Sequence, residues 1–296
     1  MGKLTWRKTV CAVLPLLVSP VIGSPARAFD GIVFSVALQP QDTLSINPGG
    51  IVNAADYAAQ VAPGSMAAAF GNFPVPYPMW DAELPLATSM EGLSLPWSSR
   101  CAPGGGVCPA IAIAGSAPLF YVSGRQVNLQ IPWQMAASVP GQMQWQNLVA
   151  AALNGQSSAT QTVDVVPFAP AIFTMNAQGT GQGAILDSSY RVVDRSNPAG
   201  AGDYILIYCT GLGLVTNAPD TGAPALSNPL SWTTAIPTVT VGGAPAMVTF
   251  FGLAPGYVGL YQVNAQVPAG LAANDAAPVI LSIGGVQSNT ATIAVQ

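Results

Sequence analysis

The sequence predicts an all-β protein built as two tandem Ig-like β-sandwich domains. Three observations lead there. The heptapeptide Gln126-Val127-Asn128-Leu129-Gln130-Ile131-Pro132 returns 136 residues later as Gln262-Val263-Asn264-Ala265-Gln266-Val267-Pro268, and a repeat at long spacing marks a repeated folding unit. Short apolar runs are separated by turn residues every 8–12 positions, the pattern of a sandwich. Half of the residues are hydrophobic and only 7 % are charged, with 31 Gly and 27 Pro. Such a composition suits many short buried strands joined by tight turns.

The repeated heptapeptide alternates strictly. Val127, Leu129 and Ile131 point to one side and Gln126, Asn128 and Gln130 to the other, as a half-buried strand requires. The closing Pro lacks a ladder donor and ends the strand. Upstream, the segment from Ala62-Pro63-Gly64-Ser65-Met66 to Gly71 has its counterpart in Ala201-Gly202-Asp203-Tyr204 to Tyr208, each a turn feeding a buried strand. Downstream, Asn154-Gly155 and Gly284-Gly285 are two-residue hairpin signals. They predict strands at 149–153 and 160–166, and at 279–283 and 290–295. Ala110-Ile111-Ala112-Ile113-Ala114 is matched to Thr238-Val239-Thr240-Val241, with 119–122 and 246–251 as the following strands. The first domain is expected over 29–166, with an elaborated, Pro-rich loop at 73–108. A packed connector is expected over 167–182, and the second domain over 183–296.

The first 28 residues have the organisation of a secretory signal peptide. Lys3, Arg7 and Lys8 precede an apolar stretch, and Ala26-Arg27-Ala28 supplies the small-x-small cleavage pattern before Phe29. The expected location is therefore extracellular or at the cell surface, with the periplasm as a further possibility. Removing this segment leaves Arg100, Arg125, Arg191 and Arg195 against twelve acidic residues, with no Lys and no His. Four cations cannot follow a phosphate backbone, so a nucleic acid is excluded as a partner. No later stretch is apolar enough to span a bilayer, so the mature chain is expected to carry no membrane span. An extracellular protein or a polysaccharide is the expected partner.

Chemistry is expected to be absent. A chain without His cannot build a Ser-His-Asp triad and lacks the ligands of a zinc site, so no cofactor, metal or catalytic residue is expected. Gly179-x-Gly181-x-Gly183 precedes a β-run rather than a helix, which removes the dinucleotide-loop reading. Asp81, Glu83 and Glu91 could form a carboxylate pair, and Asp187, Asp194 and Asp203 a calcium site, but neither spacing supports it. Cys101 and Cys108 bracket a short glycine-rich loop and are expected to form a disulfide. Closing so short a loop is worth about 2–3 kcal/mol in the chain-entropy model. Cys209 is expected as a buried thiol. Tyr77, Trp80 and Trp97, in the Pro-rich loop, are the candidate ligand contacts, since partly exposed aromatic rings can stack on a sugar. Trp133 and Trp145 are expected to fill gaps beside the first domain.

Residues 170–296 resemble the Solibacter-type C-terminal domain of secreted acidobacterial proteins. The resemblance is carried by Pro170-Ala171-Ile172-Phe173, Gly181-Gln182-Gly183-Ala184-Ile185-Leu186, Thr210-Gly211-Leu212-Gly213 and Pro237-Thr238-Val239-Thr240-Val241-Gly242-Gly243. It continues through Gly252-Leu253-Ala254-Pro255-Gly256, Tyr257-Val258-Gly259-Leu260-Tyr261 and Val267-Pro268-Ala269-Gly270-Leu271. The first copy is similar to the domain that often precedes it, through Val52-Asn53-Ala54-Ala55 and Tyr121-Val122-Ser123. The resemblance implies an Ig-like fold of the IPT/TIG sort and export, with no catalytic residues. The expected function is a secreted, non-enzymatic structural or adhesive module. The alternative is an extracellular carbohydrate-binding protein using the loop aromatics.

Overall fold

A computed structural model describes residues 43–81, 83–102, 113–139 and 144–296. The expected signal peptide and Cys108 lie outside the described residues. Every described helix or strand element is a β-strand. The chain begins with β1 (Ser45–Asn53), β2 (Gln60–Val61), β3 (Met66–Asn72), β4 (Met79–Trp80) and β5 (Ser89–Met90). It continues with β6 (Leu93–Ser94), β7 (Pro96–Cys101), β8 (Ile113–Ser116), β9 (Leu119–Val122) and β10 (Gln126–Gln130). The first half ends with β11 (Trp145–Val149), β12 (Ala152–Leu153), β13 (Gln156–Ser157) and β14 (Gln161–Val165). The second half opens on β15 (Ala171–Ile172), β16 (Gly181–Gln182), β17 (Ile185–Asp187), β18 (Tyr204–Thr210) and β19 (Thr238–Val241). It closes with β20 (Ala244–Leu253), β21 (Tyr261–Gln266), β22 (Asn274–Ile283), β23 (Val286–Gln287) and β24 (Ala291–Val295).

Two sheets form the first sandwich, in the orders β1-β3-β10-β9-β4 and β2-β14-β11-β7-β8, with a small sheet β13-β12-β6-β5 beside them. The second half repeats the plan as β15-β18-β21-β20-β19-β22-β24-β16. There β20 passes from one layer to the other, pairing its first residues with β19 and its last with β21. The repeated strands are β10 and β21. Val127, Leu129 and Ile131 are buried in one core, and Val263, Ala265 and Val267 in the other. Each fully buried Val, Leu or Ile side chain among them contributes about 1.5–3 kcal/mol. A one-residue slip would exchange all of them for amides, so this register is firmly specified.

Both predicted hairpins form. Asn154 and Gly155 have φ of +49° and +84°, and Gly284 and Gly285 of +58° and +82°, the two successive positive values of a type I′ turn. The matching of 110–114 to Thr238–Val241 is corrected. The strand that pairs with β11 as β19 pairs with β22 is β7, inside the stretch expected to be an elaborated loop. β8 and β9 together then take the place of β20, interrupted at Ala117-Pro118. The periodicity of β7 is disguised by a buried polar residue. Trp97 and Ser99 both face inward, and the Ser99 hydroxyl is satisfied by the Asn147 amide on β11. Cys101 is the last residue of β7, and Gly242-Gly243 joins β19 to β20 in the second sandwich.

The stretch 167–182, read from sequence as a connector, carries two strands of the second sandwich. β15 pairs with β18, and β16 lies parallel to β24. Phe168 packs against the second core, and the backbone N–H of Ala169 donates to the carbonyl of Gly211.

Candidate functional site

Of the three candidate aromatics, two lie at the surface and one does not. Trp80 is 60 % exposed and Tyr77 55 %. Trp80 is held in place because β4 pairs with β9, and its ring lies 5.0 Å from that of buried Tyr121 at an interplanar angle of 43°. Trp97, by contrast, is 6 % exposed and belongs to the first core. Of these three candidates, Tyr77 and Trp80 face the surface. Trp97 enters the core because β7 is a strand of the sandwich rather than part of the Pro-rich loop. Asp81 follows Trp80, and its carboxylate accepts the backbone N–H groups of Glu83 and Ala87. It shapes this loop rather than pairing with a second carboxylate.

The remaining acidic candidates also serve local turns. Asp187 accepts from Ser189, Arg191 and Asn197. Partial burial works against its charge, yet these bonds hold its carboxyl below the usual range. Asp194 is lowered by hydrogen bonds from Ser196, and Asp203 accepts from the backbone of Gly200. Among the described residues no group of three or more His, Cys, Asp and Glu could hold a metal ion. Cys209 is buried and its thiol is pushed up by desolvation. Cys101 is not among the free cysteines.

The densest polar arrangement was not foreseen, and it lies where the two sandwiches meet. Gln130 ends β10 and is fully buried. Its Oε1 accepts the backbone N–H of Gly222 at 2.7 Å, and its Nε2 donates to the carbonyl of Gly64 at 3.4 Å. The backbone N–H of Met66, at the start of β3, donates to the Thr210 hydroxyl, which donates in turn to the carbonyl of Gly259. Asn53 donates to the carbonyl of Ala169, and Tyr57 to that of Ala177. Leu86, from the elaborated segment, donates its N–H to the carbonyl of Gly222.

Around these bonds runs an apolar cluster drawn from both halves. Ala54, Ala55 and Met66 of the first pack with Phe173, Leu206, Tyr208 and Leu260 of the second. Trp133, expected only to fill a gap, packs against the second core. Its backbone N–H donates to the Thr221 hydroxyl. Gly259 makes the close approach possible, since a Cβ there would lie 2.9 Å from the carbonyl oxygen of Gly64. No single motif announces this junction, because the bonds between the two halves join residues 87 to 144 positions apart.

The repeat strands use their amides in the same way. In β10, Gln126 donates to Asn128, and in β21, Gln262 donates to Asn264, both at 2.8 Å. Gln130 bonds the carbonyl of Gly64, and Gln266 that of Gly202, in the corresponding turn. Only Gln130 also binds a residue of the other sandwich.

No family model and no curated protein matches the chain. Among solved structures, the chain is similar to the I9–I11 tandem from titin, at 11 % identity and a TM-score of 0.21. The match covers 80 % of this chain and 62 % of the titin chain, so this chain spans less than two thirds of that structure. It is also similar to the BSP domain of a biofilm-associated protein (12 %, TM-score 0.21, covering 80 % and 28 %) and to the tandem Ig repeats of Dlar (12 %, TM-score 0.18, covering 80 % and 92 %). At such identities a likeness concerns the fold alone, and at these TM-scores the sandwich assignment rests on the strand ladders themselves.

Proposed function

We propose that this protein is a secreted, non-enzymatic structural or adhesive module whose two Ig-like sandwiches act as one rigid body. The junction carries the reading: a buried apolar cluster and a buried, doubly bonded glutamine join the halves. Apolar interfaces that also carry buried hydrogen bonds resist relative motion of domains. Scanning calorimetry tests this directly. A single cooperative transition is expected, and two separate transitions in the intact protein would sink the rigid-body reading. Export is supported by the basic and apolar pattern of residues 1–28, and the relation to Solibacter-type domains by the motifs of 170–296. A Cys101–Cys108 disulfide belongs to the same reading. Its test is mass spectrometry after alkylation without reductant, and labelling of both cysteines would refute it.

A second reading, sugar binding, is favoured by the exposure of Trp80 and Tyr77. A ring fixed by strand pairing offers a flat apolar face at little entropic cost. A glycan-array screen should then find a ligand whose binding is lost in Trp80→Ala and unchanged when Tyr204, far along the chain, is replaced. Silence of the intact protein across the array overturns it.

A further inference from the structure

The two sandwiches meet end to start along their repeated strands. The end of β10, at Gln130, meets the segment that opens β21, at Gly259, while the start of β3 meets the end of β18 through Met66 and Thr210. One repeat therefore presents its tail to the head of the next. That leaves one tail and one head unused within the molecule.

The unused tail is built like the used one. In the first sandwich, Met66 and Gln130 are register partners on the outward side of adjacent strands, with Pro118 beside them. All three are buried, by the second sandwich. The corresponding row in the second sandwich is Tyr204, Gln266 and Met247, again register partners across β18, β21 and β20. Here Tyr204 is 43 % exposed and Met247 56 %. Gln266 ties down its glycine turn as Gln130 does, but its Oε1 accepts no hydrogen bond among the described residues. It is the equivalent oxygen on Gln130 that binds the second sandwich. The exposed carboxylate of Asp203 stands at this same end.

The unused head is the start of β10 in the first sandwich. Exposed Arg125 is there and forms no ion pair among the described residues. A cation at the free head and a carboxylate at the free tail are complementary.

We propose that the tail row Tyr204, Gln266 and Met247 docks the head of a second copy of this chain, around Arg125, repeating between molecules the junction that exists within one. Contact between unlike surfaces does not close on itself at two subunits, so assembly continues head to tail past the dimer. The proposal rests on the rigid tandem reading, because a loose junction could not transmit this alignment. Calorimetry reads the internal junction and mass reads the contact between molecules, so the two can fail separately.

The test is sedimentation of the full protein over a concentration series, with Met247→Arg, Tyr204→Glu and Arg125→Glu. The weight-average mass of the unaltered protein should rise past twice the monomer, and each variant alone should stay monomeric. An unchanged melting transition certifies that each variant is folded. Mixing Met247→Arg with Arg125→Glu should restore a one-to-one dimer, since one supplies an intact head and the other an intact tail. A monomer at every concentration overturns the proposal. So does association that survives the variants, or a mixture that stays monomeric.

Discussion

Gln130 and Gln266 occupy the same place in two copies of one strand, with the same bond to the same kind of turn, yet one is fully buried and the other lies partly open. The strand, the turn and the amide are thus requirements of the sandwich itself. What differs is the neighbour. In the first copy the outward amide has become part of an interface, with a backbone N–H of the second sandwich on its free oxygen. A motif that is purely architectural in one setting becomes an adhesive element in the other, and the change needs no new residue type.

The largest expected effect comes from forcing the two copies apart. Gly259 has φ of +63°, and its missing Cβ would lie 2.9 Å from the carbonyl oxygen of Gly64 and 3.2 Å from the Met66 side chain. Gly259→Val combines left-handed strain with overpacking, a loss of about 2–5 kcal/mol. Gly256, three residues earlier, also has a positive φ of +85° but nothing within 4 Å of a Cβ. Gly256→Val should cost only the backbone strain, about 1–3 kcal/mol. Denaturant melts of the two variants compare them directly, and equal losses would mean that the junction adds nothing to stability.

Next in size is the glutamine pair itself. Gln130→Leu leaves the N–H of Gly222 buried without its acceptor, a cost of about 1–3 kcal/mol. Gln266→Leu removes a bond that water can replace, and should stay within about 0.5 kcal/mol. Their ratio measures how much of the amide's worth belongs to the junction. If both variants melt alike, the equivalence of the two copies extends to energetics, and the interface reading of Gln130 is lost.

How much of this was legible follows the range of the interactions. The strand carrying Val127, Leu129 and Ile131 is visible because its alternation is local, and the Asn154-Gly155 hairpin because two adjacent residues demand positive φ. β7 was missed because Ser99 is a polar residue in a core position, satisfied by Asn147 from 48 residues away. Trp97 went with it, misread as a loop aromatic. The junction was invisible for the same reason at greater distance. Nothing local to Thr210 or Gly222 shows what they bind, and they acquire their roles only when the first sandwich is laid against them.

The smallest expected effect concerns Asp56, also at the junction, where a Cβ on Gly179 of the second half would lie 2.8 Å from its Cα. Burial raises its carboxyl above the ordinary value of 3.8, with the N–H of Ala58 acting in the opposite direction. The folded protein therefore holds this proton at pH values where the unfolded chain has lost it. Folding loses stability as pH rises from below 3.8 through the raised folded value, and above that the penalty is constant. Asp187 contributes in the other sense, since its lowered carboxyl favours folding above 3.8 and loses that contribution as pH falls through the folded value. Asp56→Asn keeps an oxygen for the Ala58 N–H and removes the half-buried charge. It should melt above the unaltered protein at pH 7, with the gain fading to nothing below pH 3.8. Melting temperatures of both proteins across that range decide the matter. A gain that persists in acid would mean that the amide improves packing at the junction, and that the charge of Asp56 is not what the interface resists.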